Sequence, residues 1–329
     1  MMFADYTKFS IGFDPRDRSR LHEFWDEILS NQKWTEGKFT QVFEQKWAEW
    51  NGAAAVATSS WAGGAMACLE YFKLKGKKVL CPTNTFMATP LSVVKAGGEV
   101  VFGDCNRTDL CLSYDALVAA GGQHDLAAVW LVHIGGHIAF DTPRIADWCQ
   151  ANHVVLLEDC AHAHGASWNG TRPGSWGDAG VYSFYATKSI STGEGGMLVS
   201  NNRGLIEFAR KYRNYGKFEH EVEGLNYRMS EFTAALGVIQ TERMPEIVAW
   251  KNEVAEKHLN PVHANRVRFP DGMISGYYKY IVFDPIEKST GKVYENLCHA
   301  LMKQTGSFPH AEWISSNHWC VPLFYNPAD

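Results

Sequence analysis

The segment Asp178–Ser200 reads DAGVYSFYATKSISTGEGGMLVS, and it indicates both the fold and the chemistry of this chain. It places Lys188 between an apolar, strand-like run and a loop that ends in Gly193-Glu194-Gly195-Gly196. A low-dielectric environment disfavours the charged form of a lysine after a buried strand, and the neutral amine is a nucleophile. The segment therefore predicts a reactive lysine. A solvated lysine in a glycine-rich turn stays open as the alternative on this segment alone.

Two further features of the segment suit an anionic cofactor. Ser183 lies five residues before Lys188 and can offer a hydroxyl group to a phosphate. The glycines allow the backbone to pass close to a bulky group. A lysine that can form a Schiff base beside a phosphate site points to pyridoxal 5'-phosphate (PLP) as the cofactor.

Short apolar runs alternate with helical stretches on both sides of this segment. The runs are AAVATS (54–59), KVLCP (78–82), EVVFGDC (99–105), AAVWLVH (127–133), VVLLEDC (154–160), GVYSFY (180–185) and GMLVS (196–200). The helical stretches lie at about 61–73, 86–96, 113–120 and 142–152. Because the runs are nearly all apolar rather than alternating, they predict strands that are buried on both faces of a mainly parallel sheet. The fold class expected is α/β, with three αβα layers.

In such sheets ligands bind at the carboxyl ends of the strands, where Lys188 and the other candidate residues fall. A long helical pattern at about 230–258 leaves the sheet and leads to segments such as VRFP and YYKYIVF. We therefore expect a large cofactor-binding domain at 1–240 and a smaller α+β domain at 241–329.

Composition excludes several classes of protein. A net charge of −5 with scattered basic residues does not indicate a protein that binds nucleic acid or an anionic membrane. The eight cysteines form no CxxC pair and several lie in apolar runs, which predicts reduced core thiols. The start MMFADYTKFS lacks the features of a signal peptide, and we expect a cytoplasmic location.

Three segments carry a resemblance to a known family. SFYATKSISTGEGG (183–196) is similar to the lysine region of the DegT/DnrJ/EryC1/StrS sugar aminotransferases, a branch of the fold-type I PLP enzymes. TSSWAGGAMACL (58–69) and GLNYRMSEFTAALGVIQTER (224–243) resemble two further family segments. The resemblance implies that Lys188 is the catalytic residue, which carries PLP as a Schiff base and then moves a proton as general acid and base.

The resemblance also implies the residues that hold the ring of PLP. Asp159 would pair with the protonated pyridine nitrogen, and Phe86 would stack on the ring. His162 would hydrogen-bond the phenolic oxygen. His162-x-His164 could suggest a metal, but no third ligand stands at a suitable spacing, so we expect no metal and a structural role for His164.

The same resemblance implies that other residues bind the phosphate of PLP. Backbone N–H groups of Ala62 and Gly63 would bind it at a helix N-terminus, together with the hydroxyl of Ser183. Asn226 would reach the phosphate of a partner subunit, which implies a homodimer. The chain departs from the family where Trp61-Ala62 replaces the usual Gly-Thr pair. It also stops several tens of residues earlier than is usual, so the small domain is expected to be incomplete.

The function that follows is transfer of an amino group, from glutamate by family analogy, to a keto-sugar linked to a nucleotide. Beyond residue 260 the chain has only Arg266 and Arg268, neither in a recognisable carboxylate-binding motif, which argues against an ordinary keto-acid substrate. Two alternatives stay open at this point. One is an aminotransferase of another keto substrate such as a keto-cyclitol, and the other is an inactive homologue with a binding role.

Overall fold

The computed structural model describes residues 5–326 and builds them from eleven strands and ten α-helices. The strands are β1 (Ala54–Thr58), β2 (Lys78–Pro82), β3 (Glu99–Gly103), β4 (Leu126–Val132), β5 (Val155–Asp159), β6 (Ser167–Trp168), β7 (Ala179–Ser183), β8 (Gly196–Ser200), β9 (Met273–Ile274), β10 (Tyr280–Val282) and β11 (Trp319–Val321). The helices are α1 (Arg18–Asn31), α2 (Lys38–Asn51), α3 (Trp61–Tyr71), α4 (Ala88–Lys95), α5 (Tyr114–Gln123), α6 (Thr142–Ala151), α7 (Arg203–Tyr212), α8 (Glu231–Val254), α9 (Cys298–Leu301) and α10 (Pro309–Ser316).

Seven strands form the central sheet, in the order β1-β8-β7-β5-β4-β2-β3. Strand β8 runs antiparallel to both of its neighbours, and the pairs from β7 to β3 are parallel. Every apolar run predicted to be a strand is one, with bounds that differ by at most a few residues. The mainly parallel sheet predicted from those runs is therefore confirmed.

Helices cover both faces of this sheet, which gives the three predicted layers. On one face Tyr182 and Val199 pack in a core with α1, α2 and α8. On the other face Val181 and Leu198 pack in a core with α3 and α7. Neighbouring residues of β7 and β8 thus enter opposite cores, which explains why these strands are apolar along their whole length.

The long predicted helix is α8, and a π-helical turn at Ala255–Leu259 continues it. Ser230 caps its start by accepting a hydrogen bond from the Thr233 N–H. The expected domain boundary at residue 240 falls inside this continuous helix, and the division into domains stays a prediction. Beyond α8, β10 and β11 form a two-stranded sheet, while β9 pairs with β6 of the preceding part of the chain.

All eight cysteines are buried and none forms a disulfide, as predicted. Burial raises the pKa of the Cys81 and Cys160 thiols well above the ordinary value, so both stay protonated. Among the described residues, no helix is both long and apolar enough to cross a membrane.

Candidate active site

A cavity of about 410 Å³ opens at the carboxyl ends of β1, β5 and β7. Its lining includes six residues that sequence reasoning had assigned to one site: Ala62, Phe86, Asp159, His162, Ser183 and Lys188. These residues come from separate loops that meet at one edge of the sheet, as expected for parallel strands.

The loop that presents Lys188 is closed by backbone hydrogen bonds at its base. The N–H of Phe184 donates to the carbonyl of Gly195 at 2.8 Å, and the N–H of Thr192 donates to the carbonyl of Phe184 at 3.0 Å. Gly193 has a φ of 83°, a left-handed conformation that favours glycine. The buried ring of Phe184 fixes the loop to the core, so Lys188 stands on a supported turn.

Lys188 lies in surroundings that favour its neutral form. Burial lowers the pKa of its amine from 10.5 to about 8, Asp159 opposes this shift, and the nearby Lys279 adds to it. The Lys188 Nζ lies 4.9 Å from the ring centroid of Tyr278. An amine with a pKa near 8 is partly deprotonated at neutral pH and can act as a nucleophile.

Asp159 is the last residue of β5, and its carboxylate is buried. One oxygen accepts a hydrogen bond from Thr89 Oγ1 at 2.7 Å, and the other accepts from the Ala161 N–H at 3.1 Å. Burial raises the pKa of Asp159, while these two bonds and Lys188 lower it. The bonds use only part of the acceptor capacity of the carboxylate and leave room for a cationic partner.

The neighbouring Glu158 points to the opposite side of the strand, because successive side chains of a strand alternate between its two faces. It accepts hydrogen bonds from His133 and from the backbone of Gly174, Trp176 and Gly177. Glu158 therefore secures a loop behind the sheet and leaves Asp159 as the carboxylate in the cavity.

His162 is held between two tyrosines from the C-terminal part of the chain. Its ring lies 4.2 Å from that of Tyr278 and stacks on Tyr294 at 5.8 Å, centroid to centroid. Its Nε2 lies 3.4 Å from the Tyr294 hydroxyl, whereas its buried Nδ1 has no hydrogen-bond partner among the described residues. Burial lowers the pKa of His162 well below 6.5, so the ring is neutral.

Trp61, the departure from the family pattern, is anchored in the core. It lines the cavity, but its indole N–H donates to the Val181 carbonyl at 3.1 Å and its ring packs on Trp130. Its side chain is 7% exposed. Trp61 therefore acts as part of the core at the base of the cavity, a role that the sequence did not indicate.

Two predicted site residues do not line this cavity. Gly63 donates its N–H to the Ser60 carbonyl at 3.1 Å, and a side chain there would meet the ring of Tyr227. Asn226 is exposed, and its side chain accepts a hydrogen bond from the Arg228 N–H. The roles of Gly63 and Asn226 toward a phosphate remain predictions.

Sequence reasoning missed the residues that the C-terminal part contributes to the cavity, namely Tyr278, Lys279, Lys292, Val293 and Tyr294. No local pattern marks them, because their role depends on how this part packs on the sheet. It also missed Thr89, which lies in the first turn of α4 and reaches Asp159 through a contact between distant segments.

His164, predicted to be structural, is buried against the rings of Trp47, Tyr182 and Phe184. Elsewhere in residues 5–326, two buried groups bring possible metal-ligand atoms within 4.8 Å: Asp109 with Cys111 and His137, and His133 with Glu158 and Cys160. Hydrogen bonds to the backbone occupy both groups; Asp109, for example, accepts from Cys111 and Phe140. Structural roles therefore account for both groups.

Residues 15–285 match the sequence profile of the DegT/DnrJ/EryC1/StrS aminotransferase family. The chain belongs to this family. GDP-perosamine synthase from Vibrio cholerae is 32% identical over 250 residues, which cover 74% of this chain and 67% of that protein. A protein from Streptoalloteichus tenebrarius, provisionally named L-glutamine:3-amino-2,3-dideoxy-scyllo-inosose aminotransferase, is 34% identical over 188 residues, or 55% of this chain and 45% of its own.

The solved structure of an aminotransferase agrees with the fold over almost the whole chain. The aminotransferase TlmJ from Streptoalloteichus hindustanus superposes with a TM-score of 0.85 at 28% identity, covering 92% of this chain and 90% of its own. The family and fold class inferred from the lysine segment are confirmed, and the chain is an aminotransferase.

Proposed function

We propose that this aminotransferase uses PLP held by Lys188 and transfers an amino group from glutamate to a keto-sugar linked to a nucleotide. The observation that carries the proposal is the presence of Lys188 and Asp159 in one cavity at the carboxyl ends of β5 and β7. The family membership supports the reaction type, since this arrangement suits the chemistry of transamination.

The residues of the cavity fit PLP on several counts. Lys188 offers an amine whose pKa is lowered to about 8, and Asp159 offers a carboxylate with spare acceptor capacity. The buried Nδ1 of His162 has no partner within residues 5–326, which suits a hydrogen bond to a bound group. Phe86 is 65% exposed at the cavity, so its ring is available to stack on a planar ligand.

When bound, PLP supplies an electron sink for the carbon atom that gains or loses the amino group. The negative charge of Asp159 would keep a proton on the pyridine nitrogen, because an opposite charge within a buried site favours the protonated form. His162 stays neutral and would hydrogen-bond the phenolic oxygen. Lys188, once its amine is free, would move a proton as general acid and base, a task suited to a pKa near 8.

The substrate class rests on relatives and on the composition of the cavity. GDP-perosamine synthase, by its name, makes an amino sugar carried on a nucleotide. Among the described residues, the cavity lining contains no arginine to clamp an α-carboxylate in the bidentate manner. Arg266 and Arg268 instead donate to the backbone carbonyls of His263 and Ala264. The name of GDP-perosamine synthase favours a nucleotide-linked keto-sugar over a simple keto acid as acceptor. The α-carboxylate of a glutamate donor would bind a lysine of the lining, such as Lys279 or Lys292.

A keto-cyclitol is the second candidate substrate. It is favoured by the relative from Streptoalloteichus tenebrarius, whose provisional name specifies an amino-substituted inosose and L-glutamine. That similarity extends over 55% of this chain, against 74% for GDP-perosamine synthase. The nucleotide sugar therefore remains the first choice, and glutamine becomes the alternative donor.

The proposal extends to a cytoplasmic homodimer in which Asn226 contacts the cofactor phosphate of the partner subunit. Its exposure in the single chain is compatible with a role at an interface. The segment that bears Asn226 lies next to the cavity, since the Tyr227 carbonyl accepts a hydrogen bond from the Ser59 N–H at 2.7 Å.

The experiment separates the two half-reactions. PLP-loaded protein is treated with glutamate, or with glutamine, and the conversion of the visible cofactor band is followed. After removal of the donor, keto-sugars linked to GDP, UDP or TDP, an inosose, and pyruvate are offered separately. We expect the band to return fastest with a nucleotide sugar. Fastest return with pyruvate would contradict the substrate class, and fastest return with the inosose would favour the cyclitol.

A further inference from the structure

A second cavity, of about 420 Å³, adjoins the active-site cavity. The two cavities share Thr187, Lys188, Tyr278 and Lys279 as part of their walls. The other walls of the second cavity come from residues 7–12, from α8, and from residues 323–325. Neither the proposed cofactor site nor the proposed proton transfers use this space.

The charge of the second cavity is positive. Lys251 and Lys279 line it beside Lys188, whose amine the cofactor would take up, and within residues 5–326 its lining contains no aspartate or glutamate. None of the three lysines forms an ion pair with a described carboxylate. The amines are close enough to affect one another, because Lys279 lowers the pKa of both Lys188 and Lys251. Cations that repel one another around one space favour the binding of an anion there.

Lys251 is the unusual member of this group. It projects from α8, is only 5% exposed, and donates from Nζ to Ser189 Oγ at 3.2 Å and to the Tyr277 carbonyl at 3.0 Å. These bonds use two of the three protons of an ammonium group. Burial lowers the pKa of Lys251 from 10.5 to about 7. A buried ammonium without a counter-charge is costly, and an anion placed against it would remove much of that cost.

The remainder of the lining divides into a polar and an apolar side. Ser10 accepts from the Gly12 N–H and keeps its hydroxyl proton to donate. The hydroxyl groups of Thr7 and Thr290 already donate to Asp5 and to the Cys320 carbonyl. On the apolar side the rings of Phe9 and Phe324 meet edge to face at 5.3 Å, and Phe9 is 62% exposed. This arrangement suits an organic anion whose oxyanion group faces the lysines and whose body rests on the aromatic side.

We propose that the second cavity binds the oxyanion group, carboxylate or phosphate, of a small organic anion, with Lys251 and Lys279 as its ligands. The site lies directly beside Lys188, so the anion would be held next to the reacting amine. Two sources share this chemistry, the carboxylate of an amino-acid donor and the phosphate of a nucleotide. The inference rests on the cavity alone and holds whichever keto substrate the enzyme uses.

The test is isothermal titration calorimetry on PLP-loaded protein with three probes: inorganic phosphate, glutarate and GDP. We expect saturable binding of at least one probe. Lys251→Met keeps the length of the side chain and removes its charge, and it should raise the dissociation constant of that probe at least about tenfold, as expected for loss of a charge-assisted hydrogen bond. Lys257→Gln is the matched control, because it removes an exposed lysine near the end of the same helical segment, and it should leave the constant unchanged.

Lys279→Gln provides a second, independent variant, and it should weaken binding of the same probe. Tighter binding of glutarate than of phosphate would identify the donor carboxylate as the source, and tighter binding of GDP would identify the nucleotide. Absence of binding by all three probes would overturn the proposal. Binding that neither variant weakens would overturn it too, since the anion would then lie elsewhere. Because no amino transfer is measured, failure of the proposed reaction would not affect this result.

Discussion

Replacing Asp159 by asparagine removes one negative charge from the active-site cavity and changes the shape of the side chain very little. The two hydrogen bonds that hold Asp159 can survive, because the asparagine oxygen can accept from the Ala161 N–H and its amide can donate to Thr89 Oγ1. What the variant loses is the charge opposite the protonated pyridine nitrogen. A buried charge-assisted hydrogen bond of this kind contributes about 3 kcal/mol.

That loss corresponds to a decrease in the rate of amino transfer on the order of a hundredfold. The assay is a stopped-flow measurement of the glutamate half-reaction with saturating PLP, so that weaker cofactor binding does not lower the rate. Thr89→Val is the matched control, since it removes the hydroxyl that bonds Asp159 but keeps the charge, and it should cost less than about tenfold. Turnover of Asp159→Asn close to wild type would refute the assignment and leave Asp159 with a structural role only.

Three further predictions follow from the same contacts. Lys251→Met should raise the free energy of unfolding below about pH 7 by a few kcal/mol, because the buried ammonium group disappears. This gain in stability should shrink as the pH rises towards 10.5, where the lysine is neutral in both the folded and the unfolded state. Urea unfolding measured across this pH range would check the prediction. A gain that grows with pH would contradict the burial argument. Trp61→Gly restores the small family residue but should lower the free energy of unfolding by about 3–5 kcal/mol, since a buried indole and its hydrogen bond to Val181 are lost. Urea unfolding would test this, with Trp34→Gly as the control because Trp34 is exposed. An equal loss of stability in both variants would contradict the prediction. If the protein is the proposed homodimer, wild type and Asn226→Ala should both measure as dimers by light scattering, and the variant should release PLP faster. A wild-type monomer that retains PLP tightly would exclude the role of Asn226 across an interface.

The strands of the central sheet could be predicted from the local sequence because they are buried on both faces. Seven apolar runs therefore stood out from their surroundings, and helices on both sides followed from the alternation of the two patterns. The location of Lys188, Asp159 and Ser183 in one cavity was predictable for a related reason, while their roles toward a cofactor stay predictions. Each residue stands at or just after the end of such a strand, and strand ends of a parallel sheet meet at one edge.

The remaining parts of the site depend on contacts between distant segments. Tyr278 and Tyr294 enclose His162 only because the C-terminal part of the chain folds back over the sheet. The pattern of residues in YYKYIVF does not indicate that contact. The sequence showed Trp61 only as a departure from the family pattern, and its indole N–H turns into the core to reach the Val181 carbonyl. The second cavity joins residues near both ends of the described chain to α8, so its three lysines could not be grouped from the sequence.

The most direct test of the central claim is to identify the lysine that carries the cofactor. Four lysines lie around the two cavities, Lys188, Lys251, Lys279 and Lys292, and all are candidates for reaction with an aldehyde. The purified protein with PLP is reduced with borohydride, digested, and examined by mass spectrometry for the peptide with a pyridoxyl group. We expect the modification on Lys188 and its loss in Lys188→Ala. Modification of Lys251, Lys279 or Lys292 in the wild-type protein, with Lys188 unmodified, would contradict this assignment.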